Sequence, residues 1–302
     1  MSFRGVTSGV NSWSARNGIG PKRFLYQIAV GIVRSWWRMR GGRHLTVFGL
    51  KIVVAPETVF PHHRKFPLPK RECASEIVRY VDYVQLHSVM KYLEELRTAP
   101  TIVEVGAHHG AYAVLLGKKA RELGGTVIAV EPNWEAYVVL KRNIALNGLD
   151  STVACEEVAI LDKPGQHCLV MEGEESHIAL ESGVGDHRVG ALTLRELLSG
   201  RSVRRVDLLL IDVEGAELPV LRGFPWGSVG IGRIYCELHP YAWERFGYAA
   251  SDFERFLVDH KLRCYDMYLR EHSKFERGAY IGPTLLVATS QRETFGASQT
   301  GF

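Results

Sequence analysis

Carboxylates stand where four apolar runs of this chain end. Glu104 lies within TIVEV, Glu131 closes TVIAVE, Asp212 and Glu214 follow VDLLLI, and Glu237 and His239 close IYCELH. An acid behind a buried strand is costly unless its surroundings are polar or lined by a ligand. Each of these places is therefore a candidate binding or catalytic position.

The segment Val103 to Gly110, VEVGAHHG, reads as a strand entering a glycine turn and then a helix. Gly106 permits a tight turn and close backbone approach to a ligand, with Ala107 beside it. Gly110 falls where the helix begins, near unpaired N–H groups and the positive end of the dipole. A ligand carboxylate fits there. Glu104 can accept hydrogen bonds or face a cationic group. The spacing is E-x-G-x-x-x-G; without the middle glycine of G-x-G-x-x-G it is a poor pyrophosphate cradle.

Glu131 comes one strand–helix unit later, where a carboxylate can accept two hydrogen bonds from ribose hydroxyls. That supports a nucleoside without naming one; the competing reading is a solvated acid favoured by a helix dipole. Asp212 and Glu214 occupy alternate positions and share a side if the strand extends through them. Glu217 reads more simply as an acid at a helix start. Glu237 and His239 again alternate. His239 is a candidate general base because its charge changes near neutral pH, and a hydrogen-bonded structural histidine explains it equally well. His108 and His109 sit in the glycine turn, within reach of cofactor or substrate. Asp212, Glu237 and His239 could meet at a metal, but no ligand spacing demands one, so none is expected.

The elements that would position these residues follow from the pattern. From Thr101 onward short apolar runs alternate with helical segments: TIVEV, a helix stopping at Gly124-Gly125, TVIAVE, and a helix from Pro132-Asn133 to Asn147-Gly148. TVACEEVAI and QHCLVME follow as strands. Glu172 to Gly190 reads as a loop beside the site, and Thr193 as the cap of a short helix. After VDLLLIDVE come a helix over Leu218 to Leu221 and the strand RIYCEL. A capping box at Ser251 to Glu254 opens another helix, and KLRCYDMYL and PTLLVATS close the series. Apolar strands alternating with helices predict a parallel sheet covered on both faces. In such sheets ligands bind beyond the carboxyl ends of the strands, where the acids stand.

Ahead of this unit the sequence predicts an extension. Residues 1–20 are rich in Ser, Gly, Asn and Arg and read as disordered, as does the tail 291–302. Residues 21–97 read as a mixed helical and β layer, acting as lid or substrate surface: an apolar and basic stretch, the β-type run Leu45 to Val59, a Pro-rich loop and a helix from Glu76 to Leu96. Residues 98–290 form the main domain. The stretch RFLYQIAVGIVRSWWRMR has two readings: a helix packed on the domain or on a second subunit, which short apolar runs favour, or a weak interfacial contact with an anionic membrane.

With 302 residues, 46% of them hydrophobic, the chain can bury a sizeable core. The net charge of +4 comes without a recognisable nucleic-acid module, so no nucleic-acid partner is expected. Five scattered cysteines without a CxxC pair suit reduced thiols and a cytoplasmic setting. The N-terminus lacks a signal-peptide pattern, and no segment is apolar enough to span a bilayer.

Taken together, VEVGAHHGAYAVLLGKKA, VIAVEPNWEAYVVLKRNIALNGL, VDLLLIDVEGAELPVLRG and IYCELHP resemble the FkbM family of S-adenosylmethionine-dependent methyltransferases, over roughly Thr101 to Pro240. IDVEGAE followed by LRG is the most specific piece. The resemblance implies a Rossmann-like class I methyltransferase fold with a seven-stranded, mostly parallel sheet whose last strand is antiparallel. It implies S-adenosylmethionine as cofactor. Glu104, Gly106, Ala107 and Gly110 would lie at its methionine end, Glu131 at the ribose, and Asp212 and Glu214 near the transferred methyl. The family usually carries a lysine before the Ile-Asp pair; this chain has Leu210. The expected activity is O-methylation of a small molecule or glycan, with Asp212, His239 and Glu214 as catalytic residues. An NAD-dependent oxidoreductase and a non-catalytic cofactor-binding protein are the alternatives.

Overall fold

The computed structural model describes residues 21–59, 83–172, 175–179, 187–276 and 281–288. The expected disordered ends, the Pro-rich loop and the first turns of the helix expected from Glu76 lie outside these residues.

The chain opens with helix α1 (Pro21–Met39), the hairpin β1 (Arg43–Val47) and β2 (Leu50–Val54), and the short helix α2 (Pro56–Val59). Phe48 and Gly49 both take positive φ at the hairpin turn, where a left-handed pair matches the strand twist. Helix α3 (Tyr83–Glu95) leads into the main domain. There β3 (Thr101–Val105), α4 (Ala111–Glu122), β4 (Thr126–Val130), α5 (Trp134–Leu146) and β5 (Val153–Glu156) alternate as expected. Asn133 caps α5 by accepting from the Glu135 and Ala136 amides.

Next come β6 (Ala159–Ile160), β7 (Gly165–Glu172), β8 (Glu175–Ala179), β9 (His187–Leu192) and α6 (Leu194–Gly200). Thr193 and Glu196 form a reciprocal capping box at α6. Then follow β10 (Arg205–Ile211), α7 (Glu217–Arg222), β11 (Gly230–Leu238), α8 (Ala250–Asp259), β12 (Leu262–Asp266), β13 (Glu271–His272) and β14 (Gly282–Ala288).

The main sheet runs β13-β12-β14-β11-β10-β3-β4-β5. Strands β5, β4, β3, β10 and β11 are mutually parallel, and β14 runs antiparallel to both its neighbours. This is the seven-stranded class I methyltransferase arrangement with a two-residue edge strand, β13, added. Buried residues pack on both faces: Leu208 and Leu210 point into one core, Leu209 and Ile211 into the other. That alternation is why VDLLLI is apolar throughout.

Three expectations change. TVACEEVAI is two strands in different sheets, broken around the exposed Glu157. QHCLVME joins a separate four-stranded sheet, β6-β9-β7-β8, and part of the expected loop from Glu172 to Gly190 is strand in it. Such a strand needs only alternate residues buried; Val189 and Ala191 are, while His187 and Arg188 are exposed, so its apolar signal is weak. Helix α8 starts at Ala250 rather than at a Ser251 box. Its Asp252 carboxylate accepts the Ala249 amide at 2.9 Å, and this works whatever residue stands at the cap.

Helix α5 fastens the N-terminal hairpin. Asn143, fully buried, accepts the Ala55 amide at 2.7 Å and lies 2.7 Å from both the Thr58 hydroxyl and the His109 carbonyl it bonds. Asn147 accepts from Val53 N and donates to Val53 O, as a neighbouring strand would. Asn143→Ala therefore leaves buried donors and acceptors unpaired, and should lower stability by about 2–3 kcal/mol in urea titrations. It should also speed proteolysis near Ala55 more than within the main sheet.

Candidate active site

The strand order reverses beside β3, whose neighbours are β4 on one side and β10 on the other. The register aligns their carboxyl ends: Val105 pairs with Val130 and with Ile211, and Ile211 with Cys236. Past these ends the chain turns tightly. Gly106, Gly110 and Gly215 take positive φ, and so do His108 and Glu214, which lack glycine's freedom. A Cβ on Gly106 would strike the Asp212 carbonyl, and one on Gly110 would strike Leu140. These glycines serve approaches between chain segments, which adds to their expected part in ligand contact.

Glu131 is buried. Its two oxygens accept the His108 amide at 2.7 Å and the Asn133 amide at 2.8 Å. Burial pushes its pKa up to about 7 although both amides pull it down. Each oxygen retains a lone pair for a hydroxyl. The His108 and His109 rings stack 4.0 Å apart, and burial lowers His108 to about 4, so it stands neutral.

Glu104 is 4% exposed, and its Oε2 has no hydrogen-bond partner. Burial, then the nearby Asp212 and Glu131 carboxylates, hold its pKa well above the usual range. A buried carboxylate oxygen without a donor, flanked by two more acids, suits a cationic ligand group.

The third group lies beyond β10 and β11. The strand stops at Ile211, so Asp212 and Glu214 do not share a side through strand alternation. The left-handed turn at Glu214 folds it back instead, and one atom each from Asp212, Glu214 and His239 lies within 4.8 Å of the others. That spacing would also suit a cation. Asp212 is exposed. Among its charged neighbours Glu237 raises its pKa most, His239 acts the other way and Glu214 adds to the rise.

Sequence reasoning missed the residue that organises this group. Glu217, read as a helix-start acid, is fully buried at the first position of α7. Its Oε1 accepts the Gly215 amide at 3.1 Å, the His239 amide at 3.2 Å and lies 2.7 Å from His239 Nδ1. Its Oε2 accepts Trp243 Nε1 at 2.9 Å and lies 3.1 Å from the Tyr248 hydroxyl. With Nδ1 held, His239 presents Nε2 to Glu214 and Glu237, each 3.7 Å away. Burial lowers the His239 pKa, but Glu217, Glu237 and Glu214 outweigh it and push it to about 11. Tyr241 also went unread; its hydroxyl donates to Glu214 at 2.8 Å. The placement of an acid between Ala216 and Leu218, inside a buried run, was the available signal for Glu217.

Residues 104–267 match the methyltransferase FkbM domain model. The chain belongs to the FkbM methyltransferase family. It is 30% identical over 164 residues to methyltransferase sdnD of Sordaria araneosa, an alignment covering 43% of this chain and 62% of that protein. It is 27% identical over 199 residues to a putative methyltransferase of Jannaschia sp. (strain CCS1), covering 60% and 68%. Among solved structures, the N-terminal domain of human METTL16 is similar at TM-score 0.42 and 15% identity, over 80% of this chain and 76% of that one. The SAM-dependent O-methyltransferase TM0748 of Thermotoga maritima is similar at TM-score 0.40 and 13% identity, over 81% and 76%. Likeness at that level says nothing of the reaction.

S-adenosylmethionine is the cofactor expected of a methyltransferase FkbM domain. The orphaned oxygen of Glu104 fits it, because the cofactor carries positive charge at its amino group and sulfur. Glu104, Glu131, Asp212, Glu214 and His239 all lie at this sheet edge, and Glu217 lies beside them.

His239 should remain an imidazolium through neutral pH in NMR titrations. Its folded pKa exceeds the ordinary 6.5, so its contribution to stability is complete below about 6.5 and is lost as pH rises toward about 11. Glu217→Gln should lower the His239 pKa and cost about 3 kcal/mol, because it removes a charge the buried donors were built around.

Proposed function

We propose that this chain is an O-methyltransferase that carries the methyl group of S-adenosylmethionine to a hydroxyl of a sugar, glycan, lipid or secondary metabolite. The observation that supports this most is the position of Asp212. It is close enough to Glu104 to raise that acid's pKa, it joins the His239 cluster, and it is exposed. One carboxylate thus stands between the cofactor half of the edge and an acceptor half.

When bound, the cofactor supplies an electrophilic methyl on a positively charged sulfur. Glu104 would face its cationic part, Gly106, Ala107 and Gly110 would leave room for its backbone contacts, and Glu131 would accept from its ribose. The acceptor hydroxyl needs a base, and Asp212 would take its proton. His239 is a weaker candidate: Nδ1 is committed to Glu217, and Nε2 already carries a proton among acids. Its positive charge steadies Asp212 and Glu214. Glu214, bonded by Tyr241, orients the acceptor.

The acid-lined mouth favours a neutral, hydroxyl-rich acceptor. Asp212, Glu214 and Glu237 would repel a phosphate backbone but can accept hydrogen bonds from a polyol. The spacing of Asp212, Glu214 and His239 supports a second reading, in which a divalent cation binds the acceptor oxygen there.

The test is transfer of labelled methyl from S-adenosylmethionine to extracts, with the product identified by mass spectrometry. Asp212→Asn should reduce turnover by about a hundredfold or more and leave S-adenosylhomocysteine affinity within tenfold. Undiminished turnover in Asp212→Asn, with loss in His239→Gln, would move the base to His239. Loss of activity in EDTA, restored by Mg²⁺, would favour the cation reading. Methylation on nitrogen or carbon would overturn the oxygen acceptor.

A further inference from the structure

Among the described residues, helix α1 packs through one side. Trp37 packs against the core beside α4 and α5, with the Arg43 guanidinium 5.1 Å over its ring. Ile28, Ile32, Trp36 and Met39 recur at helical spacing on the opposite side. Ile32 is 65% exposed and Met39 80%, and Ile28 and Trp36 are exposed as well. Such a stripe of large apolar side chains in water is unusual for a helix packed only on its own domain.

The charge around it is one-sided. Nine of the chain's 37 Lys and Arg residues, and none of its 33 acids, precede Glu57. Lys22 and Arg23 occupy the first turn of α1, Arg38 its last, and Arg34 lies between. Arg40 follows, stacked 4.2 Å over the Trp36 ring. Arg38 is ion-paired with Glu57, which also holds Arg142, so that acid is already shared.

We propose that α1 is an interfacial helix that lays the Ile28, Ile32, Trp36 and Met39 stripe into an anionic lipid bilayer. A second copy is the poorer occupant, because stacking two such faces brings arginines together without acids to meet them. Anionic headgroups supply the missing charge, and the boundary beneath them accepts isoleucine and methionine. Trp36, apolar in body and polar at its edge, suits that depth. Among the described residues no helix is long and apolar enough to cross a membrane, so the contact is with the surface. The inference does not depend on the reaction assigned above.

The full chain should co-sediment with vesicles containing phosphatidylserine, and bind at least about tenfold less to pure phosphatidylcholine or in high salt. The double variant Ile32→Asp, Met39→Asp should lose about tenfold or more in binding while S-adenosylhomocysteine affinity, which reports an intact fold, stays unchanged. Equal binding to both lipids, equal binding by the double variant, or no binding would overturn the proposal. So would a lipid-free dimer that the double variant converts to monomer, because the stripe would then be a contact between copies.

Discussion

A carboxylate removed from water must be met by donors or by a positive charge, and the edge of this sheet buries three of them. Glu217 is met from within, by backbone amides, an indole, a phenol and an imidazole. Glu131 is met by two amides and retains further acceptor capacity. Glu104 has an oxygen that no donor reaches. This gradient, from fully paired to half paired, separates structural from ligand-facing acids more sharply than their places in the sequence do.

The gradient follows from topology. Parallel strands bring their carboxyl ends to one edge, and the reversal of order at β3 opens a crevice there. Glycine at 106 lets the backbone after β10 press against the first turn, which brings Asp212 toward Glu104. At the start of α7, Glu217 fixes the imidazole that faces Asp212 and Glu214 from the other side. Asp212 thereby lies between Glu104 on one side and the Glu214 and His239 group on the other.

Much of this was legible in the residues. Apolar runs and glycine stops gave the succession of the main sheet's strands along the chain and the places of Glu104, Glu131, Asp212 and His239, because both faces of a parallel sheet must be apolar. The second sheet was not legible, since its strand β9 buries only Val189 and Ala191, with glycine between them and histidine at its start. Pairing within the site was hidden too. Alternation suggested that Asp212 and Glu214 share a strand face, yet a left-handed turn brings them together. Glu217 looked like a helix-start acid because no local pattern shows that Trp243 and Tyr248, far along the chain, return to it. Likewise Asn147 read only as a helix stop and Asn143 drew no reading, and only the folded hairpin reveals what they bond.

The central claim is that Glu104 awaits a positive charge. Titration calorimetry of S-adenosylmethionine near pH 7, in two buffers of different ionisation heat, measures affinity and proton release together. Because burial holds Glu104 and Glu131 above the usual carboxylate range, an arriving cation should lower their pKa values and expel protons. Wild-type protein should bind with measurable proton release, and Glu104→Gln should bind at least about tenfold weaker and release fewer protons. Equal affinity and equal proton release in Glu104→Gln, or no binding by either protein, would contradict the account.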